Sequence, residues 1–341
     1  MRRACVIGAG SWGTAFCGVI SANVGEVDLW AHSGAVAESI RSNRVNPRYL
    51  TSYHLPPNVR PTTDLGQACK GAELAVLALP SNHLRATCRS LAPHLAPTIP
   101  VIVLTKGIEP ATGMLMSEVA ADELGGSERV CALSGPNHAE EVCVGMPSAA
   151  VLAAPVAARA EMLRDVVSTP SFRVYTTSDL RGTEVCGAVK NVMALACGIA
   201  AGKGAGDNTL ALIMTRGIAE IGRLVSAVGG DPMTCMGLAG MGDLVATCTS
   251  EHSRNRRFGE AFARGVTLEE FERDTHMVVE GARAVVSVRE LAHAHGVEVP
   301  LCDAVRGLTS GRLTFDQVSE RLMDRLPTTE FYGMGEGADA S

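Results

Sequence analysis

The chain has 341 residues, enough for two domains at about 150 residues each. Its composition is 46% hydrophobic and 19% charged, which excludes a disordered or linker-like chain. The net charge of −6 argues against a general surface for nucleic acid or anionic membrane, so an anionic ligand would need a local pocket. The eleven cysteines form no C-x-x-C pair and lie mostly in apolar runs, which predicts reduced, buried thiols in a cytoplasmic protein.

The first apolar segment has two interpretations. Arg2 and Arg3 followed by an apolar stretch over 4–22 imitate a signal peptide. The alternative is a strand that runs into a glycine turn and a helix, and three glycines at fixed spacing favour it. No other apolar run is long enough to span a bilayer without a charge or a Gly or Pro break.

Short, nearly continuous apolar runs alternate with amphipathic segments through the first half of the chain. Such runs are typical of strands that are buried on both faces of a parallel sheet. They cover residues 4–7, 27–30, 74–79, 101–104, 130–133 and 149–153. Helical periodicity covers 36–42, 84–93, 112–124 and 158–168. This alternation predicts an α/β fold that begins with a Rossmann-like doubly wound sheet.

From Gly182 onward, helical patterns with capping residues replace the strand-like runs. The predicted helix starts include Asp207 as an N-cap, and capping boxes at Thr267 with Glu270 and at Thr314 with Gln317. We therefore predict a dinucleotide-binding Rossmann domain over 1–181 and an all-helical substrate-binding domain over 182–327. A disordered tail is expected over 328–341.

Gly8, Gly10 and Gly13 form a G-x-G-x-x-G sequence directly after the first predicted strand. Gly8 permits the tight turn, Gly10 lets the backbone approach a pyrophosphate, and Gly13 lets helix and strand pack closely. The N–H groups at the start of the following helix would meet the phosphates. This arrangement predicts dinucleotide binding.

Three loops that follow predicted strands are candidate ligand loops. Residues 79–82 are either an ordinary Pro-Ser turn or part of the ligand crevice. Lys106 either projects into the crevice or is a solvated loop charge, and its place after a strand favours the crevice. The small residues of 134–139 would let backbone N–H groups face a ligand, whereas His138 alone is weak evidence.

Lys190 lies among small apolar residues in a predicted helix. Burying an ammonium group is costly, so this lysine must reach solvent, pair with an acid or take part in chemistry. Partial desolvation suits a lysine to proton transfer, and we favour that role over a structural one.

Residues 240–248, GMGDLVATC, precede a basic cluster of three arginines that begins at Ser253. Arginine gives bidentate contacts to phosphate, and Ser253 and Asn255 add neutral donors. A solvated basic loop is the alternative. Asp243 is a candidate partner for a lysine. No set of His and Cys residues has metal-ligand spacing, so we predict no metal site.

Taken in order, these motifs resemble the NAD(P)-dependent glycerol-3-phosphate dehydrogenases of the bacterial type, over about residues 4 to 325. The strings that carry the resemblance are GAGSWGTA, TKGIE, SGPNHAEEV, GAVKNVMALACGIAAGKGAGDN, GLAGMGDLVATC with SRNRR, and VVEG. The resemblance implies reversible reduction of dihydroxyacetone phosphate to sn-glycerol 3-phosphate, which supplies phospholipid synthesis. It also implies that Lys190 is the proton donor and acceptor.

The resemblance also places ligand contacts on other residues. The implied substrate contacts are Lys106, Gly135, Asn137, Lys190, Asp243, Ser253, Arg254 and Asn255. The implied cofactor contacts, added to the three glycines, are Ser11, Trp12, Lys106, Ala139, Arg254, Val278 and Glu280. The chain departs from many relatives in having Ala-His-Ser over 31–33 where they have an arginine, and in having His138 where an aromatic or small residue is common.

The end of the second predicted strand bears on the choice between NAD and NADP. NAD-specific Rossmann domains place an acid here that binds the ribose 2′-OH and repels a 2′-phosphate. Asp28 lies too early in the strand for that role, whereas His32 and Ser33 can donate hydrogen bonds. Arg41 could reach the site from the next helix. We therefore expect His32 to contact the cofactor and NADPH to serve at least as well as NADH.

Two other functions stay open at this point. One is a different two-domain reductase, such as a relative of 3-hydroxyacid or 6-phosphogluconate dehydrogenases, against which the arginine cluster argues. The other is a dinucleotide-binding redox sensor without chemistry, which would not need Lys190. We expect a small-molecule substrate as the partner, with neither nucleic acid nor membrane, and a homo-oligomer such as a dimer is compatible with the sequence.

Overall fold

The computed structural model describes residues 1–275, 277–326, 329–330 and 332–334. These residues form two compact units. The first consists of Met1–Glu109 and Met114–Leu180, and the second of Pro110–Gly113 and the chain from Arg181. Most of the tail predicted over 328–341 lies outside the described residues, and the roles given to the two domains remain predictions.

The first unit contains an eight-stranded sheet whose strand order is β3-β2-β1-β4-β5-β6-β7-β8. The strands are β1 (Arg3–Ile7), β2 (Glu26–Trp30), β3 (Val59–Thr62), β4 (Leu74–Leu77), β5 (Val101–Val103), β6 (Val130–Ser134), β7 (Ser148–Ala153) and β8 (Phe172–Thr177). The helices are α1 (Ser11–Ile20), α2 (Gly34–Asn43), α3 (Leu65–Cys69), α4 (Ser81–Leu91), α5 (Met116–Leu124), α6 (Ala139–Val142) and α7 (Ala157–Val167).

Apolar cores cover both faces of this sheet. Successive side chains of a strand point to opposite faces, and Ala4 and Val6 of β1 belong to one buried cluster, whereas Cys5 and Ile7 belong to another. The parallel strands β1, β2, β4, β5 and β6 are therefore mostly apolar, although β2 contains the buried Asp28. The predicted Rossmann-like, doubly wound fold is confirmed, and the first segment is a strand and a core helix.

The sequence did not predict β3 and β8, and it did not predict the direction of β7. Both missed strands lie at the sheet edges, where one face suffices for burial. Strand β8 alternates buried Phe172 and Val174 with exposed Arg173 and Tyr175, so it has no continuous apolar run. Strand β7 pairs antiparallel to β6. Burial on both faces makes a strand apolar whichever way it runs, so the pattern carries no information on direction.

The second unit is built from helices, as predicted. They are α8 (Leu180–Gly202), α9 (Asp207–Ala227), α10 (Asp243–Thr249), α11 (Arg254–Ala263), α12 (Leu268–Thr275), α13 (Glu280–Ala294), α14 (Pro300–Thr309) and α15 (Phe315–Met323). The capping box at Thr267 and Glu270 is confirmed, as is the one at Thr314. The expectation for Asp207 is wrong by one residue, because Gly206 is the N-cap and Asp207 opens the helix.

Helix α8 is the most buried helix of this unit. By length and composition it could cross a membrane, but 89% of its apolar 18-residue segment is buried inside the protein. Helix α11 packs against it so closely that a Cβ at Gly259 would lie 2.5 Å from the carbonyl oxygen of Leu195. Burial and close packing explain its apolar sequence.

Glu220 of α9 is a buried acid that fixes the start of α14. Its carboxylate accepts hydrogen bonds from the backbone N–H of Leu301 at 2.5 Å and of Cys302 at 3.4 Å. These N–H groups belong to the first turn of α14 and have no partner within that helix. Burial raises the pKa of Glu220 from 4.5 to about 7, although the two backbone hydrogen bonds oppose that shift.

We predict that Glu220 makes the free energy of unfolding fall as pH rises from about 4.5 to about 7. The folded protein holds this proton more tightly than the unfolded chain, so deprotonation in that window costs stability. Glu220→Gln should remove a pH-dependent contribution on the order of 2–3 kcal/mol, measured by denaturant unfolding at several pH values. The exposed Glu290→Gln is the matched control. An unchanged pH profile in Glu220→Gln would contradict the assignment.

Candidate active site

The glycine turn after β1 has the shape that a dinucleotide needs. Gly8 has a φ of +119°, and a Cβ there would lie 2.3 Å from the carbonyl oxygen of Ala78. A Cβ at Gly13 would lie 2.0 Å from the carbonyl oxygen of Gly8. At Gly10, by contrast, no atom lies within 4 Å of the Cβ position. The turn is therefore closely packed on its inner side and open at Gly10, where a phosphate could approach.

Helix α1 begins directly after this turn, and Gly10 caps it without a side chain. The first N–H groups of the helix, from Ser11 to Gly13, are suited to phosphate oxygens. The indole Nε1 of Trp12 is buried and has no hydrogen-bond partner in the described part of the chain. Strand β1 lies between β2 and β4, which is the point where strand order reverses and nucleotides bind in such sheets. The residues present fit a nicotinamide dinucleotide.

The end of β2 has no carboxylate available for a ribose. Asp28 is buried in mid-strand and accepts a hydrogen bond from Arg3 Nε at 2.6 Å. His32 is exposed, with its ring edge toward Trp30 at a centroid distance of 6.1 Å. Arg41 donates hydrogen bonds to the Glu38 carboxylate on its own helix and to the carbonyl oxygen of Pro61 on β3.

The loops after β4, β5 and β6 carry the other predicted residues of this unit. Of residues 79–82, Leu79 and Pro80 lead into α4, and the other two form its start. The Thr105 hydroxyl donates to the carbonyl oxygen of Leu79 at 2.8 Å. Lys106 follows at once and is half-buried. After β6, the side-chain nitrogen of Asn137 is buried and finds no hydrogen-bond acceptor among the described residues. Because such a donor is costly to leave unpaired, it marks a place for a ligand oxygen.

Two further predicted residues, Gly135 and Ala139, lie on the same loop. Gly135 has a φ of +151°, and a Cβ there would lie 2.8 Å from the carbonyl oxygen of Ala149. Ala139 is buried and opens the short helix α6, for which His138 is the N-cap. Backbone packing therefore sets the shape of the loop after β6, as expected from its small residues.

Lys190 is the buried cation of the second unit. Only 6% of it is exposed, and its Nζ donates to the Asp243 carboxylate and, at 2.8 Å, to the Thr247 hydroxyl. The Thr247 hydroxyl in turn donates to the backbone carbonyl of Asp243 at 2.6 Å. The predicted pairing of Asp243 with a lysine is present, and the ammonium group is held in one position by a charge and a hydroxyl.

The segment before α10 places Asp243. A π-helical turn over Leu238–Gly242 leads directly into the helix, and Asp243 is its first residue. A Cβ at Gly240 would lie 2.1 Å from the carbonyl oxygen of Cys235, so this turn needs glycine. Thr247 follows Asp243 by four residues and lies on the same helix face. The GMGDLVATC sequence therefore contains both hydrogen-bond partners of Lys190, Asp243 and Thr247.

A second polar network joins α8, α11 and α13. Asn255 donates from its amide nitrogen to Asn191 Oδ1 at 2.9 Å, and its amide oxygen accepts from Gly281 N–H at 2.8 Å. Asn191 donates to the Glu280 carboxylate at 3.4 Å. Asn255 therefore has one amide N–H left for a phosphate, and the predicted substrate contact depends on that group.

The arginine cluster contains one side chain that is bound to neighbouring groups and two that are exposed. Ser253 is the N-cap of α11 and accepts from the backbone N–H of Arg256. Arg256 is bound to Glu260 and to the carbonyl oxygen of Thr249. Arg254 and Arg257 are exposed and make no ion pair within the described ranges. Arg254 is therefore available to an anion, and Val278 and Glu280 lie half-buried at the start of α13.

The structure thus brings the predicted residues together as two sets, one in each unit. Thr247 and Asn191 were not predicted individually. The position of Thr247 four residues after Asp243 could have indicated it, whereas the contact between Asn191 and Asn255 has no signal in the sequence. Within the described ranges, no group of three His, Cys, Asp or Glu residues could hold a metal ion. The eleven cysteines are free, and all but Cys143 are buried.

Two family models match the chain. The one described as the N-terminus of NAD-dependent glycerol-3-phosphate dehydrogenase matches residues 3–160, and the one described as its C-terminus matches 179–320. A Nocardia farcinica protein named glycerol-3-phosphate dehydrogenase (NAD(P)+) is 49% identical over 312 residues, or 89% of this chain and 93% of its own length. A Salinibacter ruber protein of the same name is 45% identical over 330 residues, or 96% of each chain.

Solved structures agree with these matches. The glycerol-3-phosphate dehydrogenase of Coxiella burnetii has a TM-score of 0.90 and 35% sequence identity, and the match covers 95% of this chain and 99% of that one. A ketopantoate reductase of Ralstonia eutropha has a TM-score of 0.59 and 19% identity over 91% of this chain and 99% of its own. The reductase therefore shares the fold alone.

We predict that removing either partner of the buried ion pair destabilises the second unit more than removing both. Asp243→Ala leaves the Lys190 ammonium buried without its counterion and should lower the free energy of unfolding by about 3–5 kcal/mol. The double variant Lys190→Met with Asp243→Leu should regain most of that loss, because no charge is then buried. Denaturant unfolding of the three proteins measures this. A double variant no more stable than Asp243→Ala would contradict it.

Proposed function

The chain belongs to the NAD-dependent glycerol-3-phosphate dehydrogenase family, and from this we propose that it reversibly reduces dihydroxyacetone phosphate to sn-glycerol 3-phosphate with NAD(P)H. The product supplies glycerophospholipid synthesis. The observation that carries the proposal is the buried Lys190 ammonium, held by Asp243 and Thr247 on the helices of the C-terminal family match.

Residues of the first unit would hold the dinucleotide. Gly8, Gly10 and Gly13 shape the turn, and the N–H groups at the start of α1 would meet the pyrophosphate. The other cofactor contacts that we propose are Ser11, Trp12, His32, Lys106 and Ala139 in this unit, and Arg254, Val278 and Glu280 in the second. When bound, the reduced nicotinamide supplies the hydride that is added to C2 of the substrate.

Lys190 acts on the substrate oxygen. Negative charge develops on the carbonyl oxygen as C2 is reduced, and an ammonium group in a water-poor site stabilises that charge strongly. Lys190 then delivers its proton to this oxygen, and in the reverse direction the neutral amine takes it back. Asp243 and Thr247 keep the nitrogen in place, since both bond it directly. Lys106 adds a second positive charge.

The remaining residues hold and orient the substrate. Arg254 would bind the phosphate, because it is a cation without an ion pair in the described part of the chain. Ser253 and Asn255 lie beside it on α11, and Asn255 has an amide N–H to offer. Gly135 and Asn137 would line the substrate, with the buried Asn137 amide nitrogen donating to a substrate oxygen. Fixing the phosphate places C2 for reaction.

A wild-type assay tests this function directly. Purified protein should oxidise NADPH only when dihydroxyacetone phosphate is present, and it should form sn-glycerol 3-phosphate. A dinucleotide-binding redox sensor would bind the cofactor without this turnover. A reductase of another substrate class would leave dihydroxyacetone phosphate unchanged.

We also propose that the enzyme acts in the cytoplasm, as a homo-oligomer such as a dimer, without nucleic acid or membrane. The negative net charge supports this, since it disfavours binding to polyanionic surfaces. The reduced state of eleven cysteines, ten of them buried, fits a reducing compartment.

We predict that Lys190→Ala lowers the kcat of the folded protein by about 10² or more, because the proton donor is lost. Cofactor binding should be nearly unchanged, because the glycine turn and the start of α1 are intact. Steady-state kinetics and fluorescence titration with NADPH measure the two effects. The exposed Lys70→Ala, in the first unit, is the matched control. A variant that kept more than roughly a tenth of the wild-type kcat would exclude Lys190 as the donor.

For Arg254→Ala, we predict a loss in kcat/KM that is specific to the phosphorylated substrate. A charge-assisted contact to phosphate contributes about 2–3 kcal/mol, or roughly 30-fold to 150-fold. The low activity on unphosphorylated dihydroxyacetone should barely change. Arg264→Ala, at an exposed arginine after the same helix, should affect neither substrate. Equal losses on both substrates in Arg254→Ala would refute the phosphate assignment.

For the cofactor, we predict that NADPH is used at least as well as NADH. The end of β2 offers His32 and Ser33 as donors, and the nearest strand acid, Asp28, is paired with Arg3. The ratio of kcat/KM values under identical conditions measures the preference. His32→Asp should shift the ratio toward NADH, because a carboxylate there repels the 2′-phosphate. A wild-type preference for NADH above about tenfold, roughly 1.4 kcal/mol, would contradict the prediction.

A further inference from the structure

A cavity of about 410 Å³ lies in the second unit, away from the Lys190 network, with which it shares no residue. Helices α13, α14 and α15 and the residues just after them form its walls. Its apolar lining consists of Pro300, Ala304, Gly307, Leu313, Val318 and Leu322. Ala304 and Val318 are buried, so the floor belongs to the core of the unit. The volume is in the range of small-molecule sites in proteins.

Four arginines, Arg289, Arg312, Arg321 and Arg325, surround this floor, and Asp303 is the one acid in the lining. Arg289 is neutralised by Asp303, and Arg325 pairs with Glu298 at 2.6 Å. Arg312 donates to the Ser310 hydroxyl at 2.9 Å. Neither Arg312 nor Arg321 has a carboxylate partner in the described part of the chain. The cavity therefore has two uncompensated cations in a protein of net charge −6.

We propose that this cavity binds a single-chain amphiphilic anion, which is a hydrocarbon chain that ends in a phosphate or carboxylate. Arginine presents a planar fork of donors that matches both head groups. The apolar floor would bury the hydrocarbon chain and remove it from water. The reaction proposed above uses none of these residues, so the two proposals can fail separately.

Both the apolar floor of the cavity and its unpaired arginines are needed to bind this class of ligand. Dihydroxyacetone phosphate and inorganic phosphate have no apolar part that would use Leu313, Val318 and Leu322. A neutral hydrocarbon would leave Arg312 and Arg321 without a counterion. The concave shape accepts one chain rather than a flat bilayer, so the occupant is a monomeric amphiphile.

The test is a calorimetric titration of the full-length protein with octyl phosphate below its micelle concentration. All titrations contain saturating sn-glycerol 3-phosphate, which occupies the phosphate site proposed at Arg254. We expect saturable binding to one site. Arg312→Glu with Arg321→Glu should raise the Kd at least about tenfold, or 1.4 kcal/mol. Arg173→Glu with Arg264→Glu, which makes the same charge change at exposed positions elsewhere, should leave it unchanged. Inorganic phosphate and octyltrimethylammonium should each bind at least about tenfold more weakly than octyl phosphate.

Several outcomes would overturn the proposal. Equal affinity for inorganic phosphate would show a simple anion site, and an unchanged Kd in the double variant would place the ligand elsewhere. Binding only to vesicles that contain phosphatidic acid would show a membrane surface. If the glutamate variant does not fold, Arg312→Gln with Arg321→Gln replaces it and should also weaken binding. Unaltered reduction of dihydroxyacetone phosphate in these variants would show that the fold and the first proposal are intact.

Discussion

The buried ion pair between Lys190 and Asp243 is the constraint on which the second unit depends. The Lys190 ammonium group must meet its counterion inside the protein, because only 6% of this residue is exposed to solvent. That need fixes the start of α10, and the π-helical turn before Asp243 provides the backbone shape. The contacts that offset the cost of burying the lysine charge also hold its nitrogen in one position. The fold of this unit and the proposed proton transfer therefore depend on one arrangement.

Polar groups in each of the two units indicate where ligands bind. Around Lys190, the amides of Asn191 and Asn255 bond to each other and to α13, and these contacts form a preorganised frame. In the first unit, the buried nitrogens of Trp12 and Asn137 have no partner among the residues described. Both lie beside loops at the carboxyl ends of parallel strands. Because these two unpaired donors lie where nucleotides bind in such sheets, ligand oxygens are the best explanation for them.

Local chemistry explains which features the sequence could predict. The glycine turn, the parallel strands with two buried faces and the lysine in an apolar helix can each be recognised from a few neighbouring residues. The sequence therefore predicts them. The edge strands β3 and β8 were missed because neither is a continuous apolar run: exposed Arg60 interrupts β3, and β8 alternates buried with exposed residues. The contact of Asn191 with Asn255 depends on how α8 and α11 cross, and the engagement of Arg256 depends on the turn before its helix. Such contacts between distant segments leave no periodic signal.

The reaction that we propose adds hydride to C2 of dihydroxyacetone phosphate while Lys190 protonates the oxygen. Its hydride step can be followed in a reaction of the wild-type protein with dihydroxyacetone phosphate and a nicotinamide deuterated at the transferred position. We expect sn-glycerol 3-phosphate that carries deuterium at C2 and at no other carbon. A product without deuterium at C2, or cofactor oxidation that does not depend on dihydroxyacetone phosphate, would contradict it.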